Sequence, residues 1–246
     1  MATAAGTDPA QNRKGATMPT TTSRDDAQAG TPPARVLTAI EQSATEVAAG
    51  GIAIHRARPY EAPGIAATLG QAFFDDPVMR WAMPDDRRRR RILPELFELF
   101  ARTIQPYGET LVAGDAVGAA LWVPPGRQAV GDDAEAFGRR MEQLAGSDAG
   151  RMFQIAALLD EHHPYGSFFY LQFIGVQPNQ QGRGIGAALL TPALERCDRL
   201  GLPAYLEATS PRNRRLYERH GFQAAGDLAP LGGPPLWPMW RQPATS

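Results

Sequence analysis

The sequence predicts a mixed α/β domain in which helices pack on a largely β centre. From about residue 52, short runs with the period of a strand alternate with longer runs that have the period of an amphipathic helix. Hydrophobic residues make up 43% of the chain and charged residues 21%, which is enough apolar surface for a sizeable core. Residues 1 to 50 contain no aromatic side chain and are rich in Ala, Thr, Gly and Asp. We therefore expect a disordered leader over residues 1–50 and a folded domain over residues 51–246.

The first part of the predicted domain begins with a strand and continues mainly with helices. Ile52 to Arg56 alternates between apolar and polar side chains, as a half-buried strand does. Apolar residues then recur at helical spacing in two segments, and a tight turn at Gly114-Asp115 joins two short apolar runs. The predicted elements after the first strand are helices over Pro63–Phe73 and Asp85–Ile104, strands at Leu111–Val112 and Val117–Val123, and helices around Ala134–Leu144 and Arg151–Glu161.

The last third of the chain has the clearest patterns. Phe168 to Val176 is an almost continuous apolar run, typical of a strand that is covered on both faces. An amphipathic helix follows and ends at Gly201, and a shorter one is closed by Gly221. The remaining predictions are a strand over Pro203–Ala208, the short helix over Asn213–Arg219, and strands over Phe222–Ala225 and Trp237–Arg241.

Composition excludes several classes of protein. The formal net charge of −1 argues against a protein that mainly neutralises nucleic-acid phosphates. Lys14 is the only lysine, and it lies in the predicted leader, so a Schiff-base enzyme and a Walker-type phosphate loop are not expected. Cys197 is the only cysteine, so it forms neither an internal disulfide nor a thiolate cluster for a metal. With no run of about 18 apolar residues and no signal-peptide pattern, we expect a cytoplasmic protein without membrane contact.

A glycine-rich segment follows the long apolar strand and carries the strongest chemical signal. It reads Gln180-Gln181-Gly182-Arg183-Gly184-Ile185-Gly186-Ala187 and opens the next helix. Glycines at alternate positions let successive N–H groups converge on one point. A helix N-terminus adds about half a positive charge. This combination predicts a site for a phosphate or diphosphate group, to which Arg183 could add a side-chain contact.

Gly182, Gly184 and Ala187 also satisfy the fingerprint of dinucleotide-binding dehydrogenases, and Glu207 lies near the position of a ribose-binding acid. In that fold, however, the glycines follow the strand directly and belong to the first strand of the domain. Here residues 177–181 intervene and the motif lies near the C-terminus. The dehydrogenase interpretation is therefore the weaker one.

Two segments in order resemble the signatures of the GNAT superfamily of N-acetyltransferases. Gln181-Gly182-Arg183-Gly184-Ile185-Gly186 is similar to the Gln/Arg-x-x-Gly-x-Gly/Ala signature, which follows a central strand. Asn213-Arg214-Arg215-Leu216-Tyr217-Glu218-Arg219-His220-Gly221-Phe222 resembles the second one, and Tyr205-Leu206-Glu207 with Trp237 to Arg241 looks like the branch that contains puromycin N-acetyltransferase. The resemblance spans about residues 52–241. It implies a GNAT-like, mixed and mostly antiparallel central sheet flanked by helices.

The resemblance also implies how acetyl-CoA is bound as a co-substrate, with no metal. The implied contacts to its diphosphate come from the backbone of Gln181, Gly182, Arg183, Gly184, Ile185 and Gly186. The backbone edge of Ile174, Gly175 and Val176 would pair with the pantetheine arm, as an added strand does. Asn213 corresponds to the family residue that hydrogen-bonds the pantetheine region.

Tyr217 and Glu207 are the candidate catalytic residues. The resemblance places Tyr217 near the sulfur, and a phenol with a pKa near ~10 stays protonated at neutral pH and can donate to a thiolate. Glu207 lies on a strand that should flank the cofactor-binding one, where partial burial would make the carboxylate a useful base. The alternatives are a core tyrosine with its hydroxyl at the surface and a purely structural carboxylate.

The resemblance also implies an acceptor pocket between the first two predicted helices, where Phe73, Asp76 and Trp81 lie. Asp75 or Asp76 could attract a cationic amine, or could equally cap a helix. The basic run Arg87 to Arg91 is expected to begin a helix with its charges spread around it, rather than to bind nucleic acid.

The sequence thus predicts transfer of the acetyl group to a small-molecule amine by direct attack in a ternary complex, in a monomer or homodimer. Cys197 is a poor acetyl carrier because its helical position turns it toward the core. A peptide or protein acceptor and a non-catalytic CoA-binding sensor are the alternatives.

Overall fold

The computed structural model describes residues 48–49 and 51–244 of the 246-residue chain. Within these residues eight strands form one sheet in the order β1-β2-β3-β4-β5-β6-β8-β7. The strands are β1 (Ala48–Ala49), β2 (Ile52–Arg56), β3 (Thr110–Ala113), β4 (Gly118–Val123), β5 (Phe169–Val176), β6 (Ala204–Ala208), β7 (Gln223–Ala224) and β8 (Trp237–Arg241). The pairing of β5 with β6 is parallel, whereas the other pairings in this sheet are antiparallel.

Seven α-helices lie in the described part of the chain. They are α1 (Ala62–Ala72), α2 (Pro77–Ala82), α3 (Asp86–Ile104), α4 (Ala134–Ala145), α5 (Ala149–Glu161), α6 (Ile185–Leu200) and α7 (Pro211–Glu218). None of them combines the length and the apolar character that crossing a bilayer requires.

The sheet separates two hydrophobic cores. Successive side chains of β4 point to opposite faces, so that Leu121 packs in one core and Trp122 in the other. Helices α1 to α5 cover the first face, and α6 and α7 cover the second. Both faces of the central strands are therefore buried, which explains the continuous apolar run that predicts β5.

The mixed, mostly antiparallel sheet confirms the predicted fold class, and each predicted strand and helix within residues 51–244 is present with its ends shifted by at most two residues. Most of the predicted leader lies outside the described residues, which include only Ala48 and Ala49 of residues 1–50. The structure adds two elements that the patterns did not predict, β1 and the six-residue α2.

The basic run at the start of α3 contains a buried arginine. Arg89 is 1% exposed, and its guanidinium donates to the carbonyl oxygens of Phe74 and Met83 at 2.8 and 2.7 Å and to the Asp86 carboxylate at 2.6 Å. The guanidinium also stacks 4.6 Å from the centre of the Phe74 ring. Arg89 therefore fixes the segment that carries α2. The run begins a helix as predicted, but the burial of Arg89 was not predicted.

The fit between β5 and α1 gives a stability prediction. A Cβ atom on Gly175 would lie 2.8 Å from the Ala72 Cβ and 2.9 Å from a Leu69 methyl. We expect Gly175→Ala to lower the free energy of unfolding by about 1–3 kcal/mol, because the helix must move off the sheet. Gly138→Ala, on α4 with no atom within 4 Å of the new Cβ, is the control and should raise it by about 0.4–1 kcal/mol. Urea titration of both variants measures the difference, and equal midpoints would contradict this account of the packing.

Candidate active site

Strands β5 and β6 pair only at their first residues and then diverge. Phe169 pairs with Ala204 and Tyr170 with Tyr205, and no further pair follows among the described residues. Beyond this point β5 remains paired on its other side with β4. The second half of β5 therefore has one unpaired backbone edge.

The register identifies which backbone groups face this open edge. The Gln177 N–H donates to the Val117 carbonyl at 2.9 Å, so Gly175, two residues earlier, also turns its backbone groups toward β4. The backbone N–H and C=O groups of Ile174 and Val176 consequently point to the open edge. The Val176 carbonyl accepts from the Gln181 side-chain amide at 3.1 Å, which is consistent with this direction.

A group of unpaired backbone amides lies just after the open edge. The Gln181 N–H donates to the Pro178 carbonyl at 3.4 Å, and the first hydrogen bond of α6 runs from the Ala188 N–H to the Gly184 carbonyl. Between them, the six amides of residues 182–187 have no acceptor among residues 48–49 and 51–244. The free amides thus begin one residue later than predicted and open a 16-residue helix.

Two glycines give this segment its shape. Gly182 has φ +78° and Gly184 has φ +80°, a left-handed conformation that other residues adopt only with strain. No atom lies within 4 Å of the position that a Cβ would take at either residue, so the space above the amides is open. The segment can therefore accept a negatively charged group on its amides.

A cavity of about 560 Å³ lies where β5 and β6 diverge. Its wall includes Phe73 and Ile174, and also Glu207, Asn213 and Tyr217 from β6 and α7. Further lining residues come from α3, α5 and the segment from Pro124 to Val130. The open edge of β5 and three of the predicted site residues from β6 and α7 therefore meet at one cavity.

Glu207 presents an incompletely bonded carboxylate in this wall. The Tyr170 hydroxyl donates to Oε2 at 2.8 Å, while Oε1 is shielded from solvent and has no hydrogen-bond partner among the described residues. Burial raises the pKa of the Glu207 carboxyl, and the neighbouring hydroxyls of Tyr170 and Tyr205 oppose that rise. An unpaired buried oxygen of this kind is costly unless a ligand donates to it.

Tyr217 is 5% exposed, and its hydroxyl forms no hydrogen bond within the described part of the chain. Burial and, to a smaller extent, the Asp76 carboxylate raise the pKa of this hydroxyl, so it stays protonated through the neutral range. The Asn213 N–H donates to the Ser210 side chain at 3.2 Å, which caps α7. The cap fixes the start of the helix that carries both residues into the cavity wall.

Comparison with known proteins decides the family. A family model described as the acetyltransferase (GNAT) family matches residues 147–222. An uncharacterised N-acetyltransferase of Schizosaccharomyces pombe is 33% identical over 175 residues, which cover 64% of this chain and 68% of the relative. The chain belongs to the GNAT family of acetyltransferases. It is an acetyl-CoA-dependent N-acetyltransferase, as the sequence predicted.

Solved GNAT structures share the fold. A structure from Corynebacterium glutamicum, described as histone acetyltransferase HPA2 and related acetyltransferase, is 29% identical with a TM-score of 0.61 and covers 79% of this chain and 98% of its own. A polyamine N-acetyltransferase of Drosophila melanogaster, described as forming N-acetylagmatine, is 18% identical with a TM-score of 0.53 and covers 78% and 99%. These likenesses agree with the helix-flanked, mostly antiparallel sheet of this acetyltransferase.

The structure does not bring Asp76 and Trp81 into the cavity wall of the acetyltransferase. The Asp76 side chain accepts from the Val78 and Met79 amides at 2.9 and 3.2 Å, which caps α2, and also from the Thr209 hydroxyl. Burial raises the pKa of this carboxyl. Trp81 lies under Arg151, whose guanidinium is 5.5 Å from the ring centre. Of the two roles predicted for Asp76, attraction of a cationic amine and capping of a helix, the structure shows the helix cap.

The sequence analysis of the acetyltransferase missed two parts of the site. Tyr170, which holds Glu207, appeared only as one residue of an apolar strand, although a tyrosine in a buried run signals a hydroxyl that needs a partner. The connection from β4 to β5, residues 124–168, was predicted only as two helices, yet it supplies about half of the cavity wall. Its unusual length between neighbouring antiparallel strands was the available signal.

Proposed function

We propose that this acetyltransferase transfers the acetyl group of acetyl-CoA to the amine of a small molecule bound in the cavity, by direct attack in one ternary complex. The observation that carries the proposal is that the open edge of β5, Glu207 and Tyr217 all meet at the same cavity. A donor bound along the edge and an acceptor in the cavity would place their reacting atoms between these two side chains.

The residues present fit a diphosphate attached to an amide-containing arm. The free amides of Gly182 to Ala187 would hold the diphosphate at the start of α6, with Arg183 beside them. The backbone of Ile174 and Val176 would pair with the arm as an added strand, with Asn213 across the gap. When bound, acetyl-CoA supplies an activated acetyl thioester.

Glu207 and Tyr217 would then divide the proton transfers. An aliphatic ammonium with a pKa near ~10 must lose a proton before attack. The raised pKa of the Glu207 carboxyl and its unpaired Oε1 suit it to receive that proton. The protonated Tyr217 hydroxyl, with no partner of its own, is suited to donate to the departing thiolate.

The environment of Cys197 supports direct attack rather than a covalent acetyl carrier. The side chain is 0% exposed, and burial raises the pKa of the thiol to about 12. A thiol that stays protonated in the core is a poor nucleophile. Cys197 is also absent from the residues that line the cavity.

Release of CoA thiol across a panel of acceptors tests the proposal. The panel contains small primary amines, a peptide with a free N-terminus and a peptide with an internal lysine, and thermal shift with acetyl-CoA is measured in parallel. We expect thiol release with small amines at a kcat/KM at least about 10-fold above that of either peptide. Preference for a peptide would replace the small-molecule acceptor. Stabilisation by acetyl-CoA without any turnover would favour a sensor.

Other expectations belong with this proposal and stay predictions. They are a cytoplasmic location, a monomer or homodimer, and the absence of a metal, of nucleic-acid binding and of membrane contact. The Drosophila neighbour is named for a polyamine acceptor, but its 18% identity supports the fold alone.

A further inference from the structure

The connection between β4 and β5 is far longer than the geometry of the sheet requires. These strands are antiparallel neighbours, which a hairpin of two to five residues can join. Here about 45 residues intervene, from Pro124 to Phe168, and they form α4 and α5. The connection supplies about half of the residues that line the cavity, which Glu207 and Tyr217 also line.

The side chains that this connection and α3 turn into the cavity are mainly apolar. Met152, Ile155 and Leu159 are spaced three and four residues apart, so they form one face of α5 along the wall. Phe100 of α3 also lines the cavity, and its ring packs edge-on at 4.9 Å from Phe173 and 4.8 Å from Phe137. These contacts fix the aromatic rings, so the apolar space is preformed.

Charge in the wall is sparse and unevenly placed. Glu207, Asp160 and Arg127 are the only acidic, lysine or arginine side chains of the described wall. Asp160 and Arg127 are both exposed, so water and salt screen their charges. His163 also lies in the wall, and burial lowers the pKa of its ring, which keeps it neutral. Glu207 is therefore the one carboxylate of this described wall that is shielded from solvent.

We propose that the acceptor is a primary amine with a single positive charge and a bulky apolar body, aryl or branched alkyl, and that residues 124–168 select it. The inference rests on the proposed function, since it places the acceptor in the same cavity. The ammonium would lie at Glu207, and the apolar body would lie against α5 and Phe100. A second ammonium on the acceptor would be buried there without a partner.

Matched amines test the class of substrate on the wild-type enzyme. We expect 2-phenylethylamine to exceed ethylamine in kcat/KM by about 10- to 100-fold, because a phenyl group is removed from water. Pentylamine and putrescine have the same chain length but differ in charge. We expect pentylamine to exceed putrescine by at least about 10-fold, since the second ammonium loses its hydration. Equal values within either pair would overturn the inference.

Two neighbouring alanines on α5 test the role of residues 124–168. Ala156 and Ala157 are both exposed, but only Ala156 is among the residues that line the cavity. Ala156→Trp should fill apolar space, lower kcat/KM for 2-phenylethylamine at least about 10-fold and leave ethylamine within about 2-fold. Ala157→Trp is the matched control and should change neither amine by more than about 2-fold.

The outcomes separate this inference from the proposed function. Suppose that amines are acetylated, but that Ala156→Trp slows 2-phenylethylamine and ethylamine to the same extent or slows neither of them. The proposed selection by residues 124–168 is then wrong, whereas acetylation of small amines is still supported. If none of the small amines releases thiol while acetyl-CoA still raises the Tm, the proposed acceptor is wrong and this inference falls with it.

Discussion

Replacing Tyr217 by phenylalanine is expected to lower kcat by about 10²-fold or more while leaving the affinity for acetyl-CoA nearly unchanged. The substitution removes one hydroxyl, which has no hydrogen-bond partner within the described residues and therefore no structural contact to lose. Without it, the thiolate would leave with no proton donor. Steady-state kinetics with a saturating amine, and direct titration with acetyl-CoA, measure the two effects separately.

In Tyr217→Phe, a loss of kcat can be distinguished from a loss of stability. Because the hydroxyl has no hydrogen-bond partner among the described residues and lines the cavity, removing it should not decrease the free energy of unfolding. Tyr60→Phe is the control: this tyrosine is 70% exposed, is absent from the cavity wall and should leave kcat unchanged. Unchanged turnover in Tyr217→Phe would remove Tyr217 from the mechanism and return it to the core. An equal loss of acetyl-CoA affinity would make it a binding residue instead.

Sequence patterns sufficed for most of the fold because they reflect local physics. The apolar run of β5 and the glycine that ends α6 predict their elements from a few consecutive residues. Helix α2 was missed because six residues give no period, and its cap, Asp76, is held by Thr209 from far along the chain. Arg89 was missed for a similar reason, since its carbonyl acceptors lie in another segment.

In the candidate site, too, the features that depend on local sequence could be predicted, and those that depend on distant contacts could not. The anion-binding role of the glycine-rich segment could be predicted from the sequence, because alternate glycines at a helix start indicate a left-handed backbone by themselves. The role of Tyr170 was not visible, because its contact with Glu207 arises from the parallel pairing of β5 with β6. The apolar wall of the cavity was also not visible. Amphipathic helices such as α5 have the same pattern whether their apolar face meets a core or a cavity.

Replacing Glu207 by glutamine is expected to lower kcat by about 10²-fold and to remove the acidic limb of the kcat profile against pH. Glutamine keeps an oxygen that can accept from the Tyr170 hydroxyl, so the wall stays in place while the proton acceptor is lost. In the proposed mechanism, protonation of Glu207 would remove the proton acceptor and stop the reaction. Since burial raises the pKa of this carboxyl, kcat should fall at a higher pH than an exposed glutamate would give.

The Tyr170→Phe variant distinguishes between two roles of Glu207, a catalytic base and a purely structural carboxylate. The hydrogen bond from Tyr170 lowers the pKa of Glu207, so its removal should raise that pKa and move the acidic limb to higher pH. A structural role alone would leave the position of the limb unchanged.

Stability as a function of pH gives an independent check on Glu207. Because its folded pKa lies above the unfolded value, the folded state binds more protons in the window between the two values, and its contribution to stability falls as pH rises through that window. Glu207→Gln removes this cost, so the variant should be at least as stable as the wild type above the window, although it has lost activity. Urea midpoints at several pH values measure this. A carboxylate kept at a cost to the fold is expected where catalysis needs it, whereas a destabilised Glu207→Gln variant would show that the group serves the structure.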